Sequence, residues 1–388
     1  MTSDKLKSWC EIDEKALDSN VKSIRSLLAP TTKLGIVVKS NAYGHGLDLC
    51  AKIFERAAVD WLIVNSVQEA TALRASGIKL PVYICVQVLP EEVDEAAASE
   101  ARVVVCDKEV VSKLAVIGRA QNRPIPCHVK LETGTHRQGL DLESAVDMAK
   151  FIFNEPGLYL EGLTTHLADS EDTSNHGFTD GQHQRLEEVV EILRESGVTL
   201  PMVHSASSAT TLLRKDLHGD IVRVGIAAYG LWPSSEVSSS FQKLSSVATK
   251  EKSLLPALKW KARISQIKEI DSGNSIGYGR TFVAKSRMRI GIIPVGYYEG
   301  YDRRLSNIGY VLIEGEKAQV CGRVCMNMFM VDLTNLPRVK VGCIATLLGA
   351  EDGANVSAEV WADWLGTINY EVVSRINPEL PRLSLLLE

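Results

Sequence analysis

Between residues 33 and 226 the sequence repeats one pattern eight times: a short, apolar, β-branched run, then a segment of helical character. The runs are KLGIVVKS (33–40), WLIV (61–64), VYICVQ (82–87), ARVVVCD (101–107), IPCHVKLE (125–132), YLEGLTTHL (159–167), MVHSAS (202–207) and IVRVGI (221–226). Most do not alternate apolar with polar residues, so the strands they predict are covered on both faces, as in a parallel sheet. In the intervening SVQEATALRASG, Ser66 and Glu69 have capping-box spacing and Gly77 supplies a stop. LESAVDMAKFIF (142–153) and QHQRLEEVVEILRESG (182–197) carry apolar residues at helical spacing. Eight strand-then-helix units predict an α/β fold, a closed (β/α)8 barrel of the TIM type over residues 10–238. A doubly wound open sheet is the alternative. It calls for a glycine-rich fingerprint after the first strand, and SNAYGHG is not GxGxxG.

After about residue 235 the texture changes. PSSEVSSSFQKLSS (233–246) reads as a serine-rich, loop-like connector. Beyond it, LKWKARISQIKEI, RIGIIPVGY, GYVLIEGEKAQVCGRVCMNMFMVDL and CIATLLG are short strand-like segments punctuated by glycine turns, with few helices before VSAEVWADWLG. Residues 239–388 are therefore expected to form a second, mainly β domain, with residues 1–12 as candidates to pair with it.

Composition narrows the function. The 388 residues are ample for two domains, and a net charge of -5 without clusters argues against a nucleic-acid partner. No run of about 18 apolar residues exists to span a membrane, and MTSDKLKSWCEID lacks a signal peptide's apolar core. The eight cysteines are scattered, with no CxxC pair, which suggests reduced core thiols in a cytoplasmic protein and no metal site.

A barrel places its chemistry at the C-terminal strand ends. Lys39 ends the first strand, Lys130 and Arg137 lie at and beyond the fifth, and His166 follows the sixth. His204, Ser207 and Ser208 finish the seventh, and Arg223, Gly225 and Ile226 close the eighth. Singly, each has an ordinary reading: a lysine reaching solvent, a packing histidine, an ion-pair partner, an N-cap serine. Together they would share one rim. Small residues after the last two strands suit a phosphate site. A phosphate site beside a strand-end lysine suggests pyridoxal phosphate, with the amine as its covalent anchor.

Six ordered motifs then point to a family. VVKSNAYGHG (37–46), RVGIAAYGL, SIGYGRTF (275–282), VGYYEGYDRRL (295–305), GRVCMNMFMVD (322–332) and INYEVVSRI (368–376) resemble alanine racemase over nearly the whole chain. The resemblance implies a cytoplasmic homodimer that interconverts L- and D-alanine for D-alanine biosynthesis. Lys39 would be the Schiff-base lysine and one base acting on the external aldimine, and Tyr278 from the second subunit the other. Tyr43, Ser208, Gly225, Ile226 and Tyr370 would hold the cofactor phosphate. Arg223 would face the pyridine nitrogen, with His166 hydrogen-bonded behind it. Arg137 and the backbone at Met326 would receive the substrate carboxylate, beside Asn327 and a channel at Tyr297 and Arg303. Lys130 matches a lysine that is carbamylated in many members. An arginine at the pyridine nitrogen disfavours its protonation and so weakens the ring as an electron sink, which limits side reactions.

Four departures fall near the pocket: Ser207 for the family's usual asparagine, Asn327 for aspartate, Tyr298–Glu299 for Ala–Asp, and Thr135–His136 for smaller or apolar residues. They spare both bases and keep open a broader racemase acting on serine, lysine or similar side chains. A metal-assisted aldolase, a non-catalytic pyridoxal phosphate-binding protein and a sugar-phosphate barrel enzyme are the competing classes.

Overall fold

The computed structural model describes residues 3–244 and 253–385. Two compact units divide the chain. One comprises Leu17–Ala42 and Cys50–Leu255, the other Met1–Ala16, Tyr43–Leu49 and Pro256–Glu388.

Strand β1 (Ser8–Asp13) comes first in sequence and belongs to the second of these units. The barrel follows with β2 (Lys33–Val37), β3 (Trp61–Val64), β4 (Val82–Ile84), β5 (Arg102–Val105), β6 (Ile125–Lys130), β7 (Leu158–Thr164), β8 (Met202–His204) and β9 (Ile221–Val224). All pair in parallel, in the order β8-β7-β6-β5-β4-β3-β2-β9. Each of the eight apolar runs supplies one strand. Between β8 and β9 the ring is bridged by individual bonds: Asp220 N donates to Val203 O, and Arg223 N to Ala206 O, both at 3.0 Å. Leu34, Ile36, Leu62, Val103, Val104, Leu163, Val222 and Val224 are fully buried, which accounts for the unalternating runs. Burial of each such side chain contributes roughly 1.5–3 kcal/mol.

The expected helices form at Val67–Ala75, Leu142–Asn154 and Gly177–Glu195. Ser66 Oγ accepts from Glu69 N at 3.2 Å. The Glu69 carboxylate reaches elsewhere, accepting from Asn65 N at 2.8 Å and Ser40 N at 2.6 Å. The serine-rich connector corrects the sequence reading, because Ser235–Leu244 is a helix. Its serines hid an i,i+4 pair, Val237 and Phe241, both buried, with the Phe241 ring 5.5 Å from Trp232. Ser234 Oγ accepts from Val237 N at the helix start. Residues 245 and 246 of that segment lie outside the described residues.

In the other unit, β1 runs antiparallel to β10 (Leu258–Arg263) and parallel to Arg382–Leu385. The same sheet continues through Ile344–Glu351, Tyr310–Ile313 and Glu316–Gln319. A three-stranded antiparallel sheet joins Gln266–Ile270, Met288–Ile293 and Phe329–Asp332. This is the expected mainly β domain. Its aromatic core stacks Tyr301 on Phe329 at 4.2 Å, with Trp361 edge-on to Tyr301 at 4.8 Å. Tyr301 comes from VGYYEGYDRRL and Phe329 from GRVCMNMFMVD, so the stack ties two of the motifs together.

Candidate active site

Lys39 does not end its strand in the strict sense: β2 stops at Val37, and Val38 N continues the ladder to Ile63 O at 2.8 Å. Lys39 then opens a turn in which Ser40, Asn41, Ala42 and Tyr43 all take left-handed backbone angles, with φ of 51° to 55°. For residues with a Cβ, this conformation costs roughly 1–2 kcal/mol each. It persists because its ends are fixed. Glu69 accepts from Ser40 N, and Ala42 N donates to Val38 O at 2.8 Å. The side chain of half-buried Lys39 is thus carried on a tightly wound, over-determined segment.

His166 shows which groups meet at the rim. Burial and then the charges of Arg223, Arg137, Lys130 and Lys39 push its pKa down to about 3, so its imidazole is neutral. All four of these charges are positive. The four cations come from positions that the sequence places at or just beyond the ends of three different strands. Burial, with the charges of Arg223 and Arg137, also lowers the buried Lys130 amine to about 8, and its Nζ donates to Gln138 Oε1 at 3.1 Å. Glu132, which the sequence reading did not single out, organises the loop carrying Arg137. Its carboxylate accepts from Gly134 N, Thr135 Oγ1 and Arg137 N. Burial opposes its ionisation, but these donors and the His136 amide bring it down to about 2.

The histidine bonded to Arg223 is His204, not the expected His166. Arg223 Nη1 donates to His204 Nδ1 at 2.5 Å, while Nη2 donates to Thr165 O at 2.9 Å and Ser205 O at 3.0 Å. The reason is ring closure, which makes β8 the neighbour of β9; His166 lies beyond the end of β7. Ser208 Oγ accepts from Gly225 N at 3.0 Å and ties the segments after β8 and β9 together. Ser207 precedes the Ser208–Leu213 helix without capping it by its side chain, and its Oγ bonds instead to Ser170 Oγ at 3.3 Å. Gly225 likewise leads into the turn Ile226–Tyr229. Cations, a hydroxyl and uncapped amides form a donor set suited to a phosphorylated cofactor and a carboxylate.

The remaining candidates lie in the other unit. The rings of Tyr43 and Tyr370 approach to 6.1 Å. Tyr278 stands on a short turn between two positive-φ glycines, Gly277 and Gly279, with 73% of its surface exposed. Tyr297, Met326 and Asn327 are brought together by backbone: Tyr297 N donates to Cys325 O and Tyr298 N to Met326 O, at 3.1 and 3.0 Å. Gly296 permits this approach, because an added Cβ would sit 2.1 Å from Cys325 O. Two departures noted in the sequence meet here. Asn327 Nδ2 donates to Glu299 Oε1 at 2.7 Å, and Glu299 Oε2 accepts from Gly296 N at 2.7 Å. An aspartate at 327 would face the Glu299 carboxylate; the amide makes the pair compatible, and the negative charge sits on Glu299.

Residues 12–233 match the model of the alanine racemase N-terminal domain, and residues 257–384 that of its C-terminal domain. Curated alanine racemases from Leptospira interrogans and a Nostoc species are 36% and 34% identical, each covering 98% of this chain and 96% of its own length. The solved alanine racemase of Clostridium difficile 630 superposes with a TM-score of 0.91 at 31% identity, covering 98% of this chain and 96% of its own. That of Bacillus anthracis, solved with bound L-Ala-P, gives 0.88 at 31% identity over 98% and 95%. Matched along both domains in sequence and fold, the chain belongs to the alanine racemase family.

Proposed function

We propose that this chain interconverts L- and D-alanine with pyridoxal phosphate held at the barrel rim, acting as a homodimer. The observation that carries the proposal is the convergence of four cations on neutral His166, which calls for two anions: a cofactor phosphate and a substrate carboxylate. Bound pyridoxal phosphate would supply the electron-withdrawing ring that makes the α-proton of an attached amino acid removable. The chain's own residues do the rest. Lys39 anchors the cofactor and exchanges a proton with one face of the α-carbon. Tyr278 of the partner subunit serves the opposite face, in keeping with its exposure on its own chain. Ser208, Gly225 and Ile226, with Tyr43 and Tyr370, receive the phosphate. Arg223, already committed to His204, offers its charge to the ring nitrogen. Arg137 and the backbone at Met326 take the carboxylate. The relative solved with L-Ala-P supports a site for a small amino acid. The Asn327 departure gives no reason to favour larger substrates, since Glu299 restores the charge.

Lys130 is proposed to be carbamylated. Its depressed pKa leaves much of the amine neutral near pH 8, able to add to carbon dioxide with loss of a proton. Native mass spectrometry should find the protein heavier by one carbon dioxide, and Lys130→Arg should abolish the increment; an unmodified wild type would remove the assignment.

The test of function is exchange of the alanine α-proton in deuterated water, followed for both enantiomers with optical rotation. The wild type should incorporate deuterium with inversion. Tyr278→Phe should slow turnover by about 10²–10⁴-fold, and unequally in the two directions, because tyrosine deprotonates only one enantiomer. Protein that takes up the cofactor yet leaves both alanines untouched would overturn the substrate. An equal loss in both directions, with an unchanged isotope pattern, would overturn the two-base assignment.

A further inference from the structure

A buried polar chain crosses the inside of the barrel below Arg223. Arg223 Nη1 meets His204 Nδ1 at 2.5 Å, and His204 Nε2 meets His128 Nδ1 at 2.9 Å. His128 Nε2 meets Glu161 Oε2 at 3.0 Å, and the Glu161 carboxylate is paired with Arg102 Nε at 3.0 Å. Both histidines are buried. The protons on this chain have only one arrangement. A guanidinium donates and cannot accept, so His204 Nδ1 must be bare and its proton must sit on Nε2. That proton points at His128 Nδ1, which must therefore be bare as well. The His128 proton is then on Nε2 and is given to Glu161, which also accepts from Arg102. All donors run one way, from Arg223 to the carboxylate. A second proton on either ring would set two N–H groups against each other. Burial also lowers the pKa of both histidines, in agreement with neutral rings.

The fold is shaped to admit this chain. The β6–β7 register shifts between Cys127 and His128, so Leu160 and Gly162 pair across while Glu161 is the extra residue. Gly162 leaves room for the imidazole, because a Cβ there would lie 2.5 Å from His128 Nδ1. Arg102 lies over the Trp61 ring at 4.7 Å, and Trp61 and Tyr83 pack on His128.

We propose that Glu161, Arg102 and His128 are positioning residues for the racemase reaction: through His204 they fix the imidazole tautomer that receives Arg223, and so hold the guanidinium where it serves the cofactor ring. The inference rests on the role given to Arg223 above. Among the described residues, no carboxylate accepts a hydrogen bond from the Arg223 side chain, and the Glu161 carboxylate stands two histidines away. The arginine is thus oriented without being neutralised at the ring. A carboxylate that sets a histidine tautomer from behind is a known device of catalytic sites.

Ring-¹⁵N NMR on histidine-labelled protein, with and without pyridoxal phosphate, tests the assignment directly. The expected wild-type result is a neutral His204 protonated at Nε2 in both samples. His128→Leu removes the acceptor and should lower kcat about 10- to 100-fold with KM for alanine little changed, with a shifted visible spectrum of the bound cofactor. His128→Asn returns an acceptor oxygen close to the Nδ1 position and should recover much of both. Glu161→Gln should give an intermediate loss. A wild-type His204 protonated at Nδ1, or a His128→Leu holoenzyme with unchanged kcat and spectrum, would overturn the proposal. Failure of the wild type to bind pyridoxal phosphate would instead overturn the functional reading, and the tautomer would still be measurable.

Discussion

Lys39→Ala is expected to reduce α-proton exchange of both alanine enantiomers by about 10⁴-fold or more, since it removes an acid–base group and a covalent anchor together. Borohydride treatment of the wild-type holoenzyme should leave the cofactor's mass on the peptide containing Lys39, and the variant's peptide should carry none. The fold should survive. Lys39 lies outside the β2 ladder, and the local backbone bonds from Val38 and Ala42 do not involve its side chain. Lys39→Arg separates the two contributions, because arginine keeps the charge near His166 but is not deprotonated at working pH. It should be as inactive as the alanine variant. A Lys39→Ala enzyme exchanging at the wild-type rate would remove both the anchor and the base.

The barrel was legible because burial on both faces forces unalternating β-branched runs, and eight of them in order leave few other solutions. The rim candidates were legible for a related reason: once a strand is placed, its C-terminal end is placed with it. What stayed hidden depends on spatial neighbours. His204 closes one strand and His166 lies just beyond another, and only the closure of β8 against β9 decides that His204 meets Arg223. Glu132 and Glu69 serve backbone amides in loops, and an acceptor for loop amides has no fixed spacing in sequence. Glu69 did show as the glutamate three residues after Ser66 in a capping box, but its carboxylate holds Ser40 and Asn65 rather than Ser66. The left-handed turn at Ser40–Tyr43 runs against local preference, having no glycine until Gly44. Such conflicts between local preference and fold concentrate at functional sites, and this one adjoins the proposed anchor.

Gly44→Ala should be the most damaging glycine substitution near that turn. Gly44 has φ +81°, and a Cβ there would lie 2.0 Å from the carbonyl oxygen of Val373. Two costs combine: left-handed backbone at about 1–2 kcal/mol, and overpacking against a backbone group that cannot swing away, at about 1–3 kcal/mol or more. The site is held from the other side as well, because Arg382 Nε and Nη2 both donate to Gly44 O, at 3.1 and 3.0 Å. Moving Gly44 to relieve the clash would therefore strain those bonds, and it would shift Tyr43 next to it. Gly342→Ala is the control in the same unit. Its φ is +91°, with nothing within 4 Å of the added carbon, so only the backbone cost applies. Urea unfolding should show Gly44→Ala less stable than Gly342→Ala by roughly 1–3 kcal/mol, with activity lost only in the former. Equal destabilisation would mean that the Val373 carbonyl yields and that left-handed backbone alone explains the glycine of the YGHG motif. Loss of activity at full stability would place its importance in Tyr43 and the turn behind Lys39, rather than in the packing of the second unit.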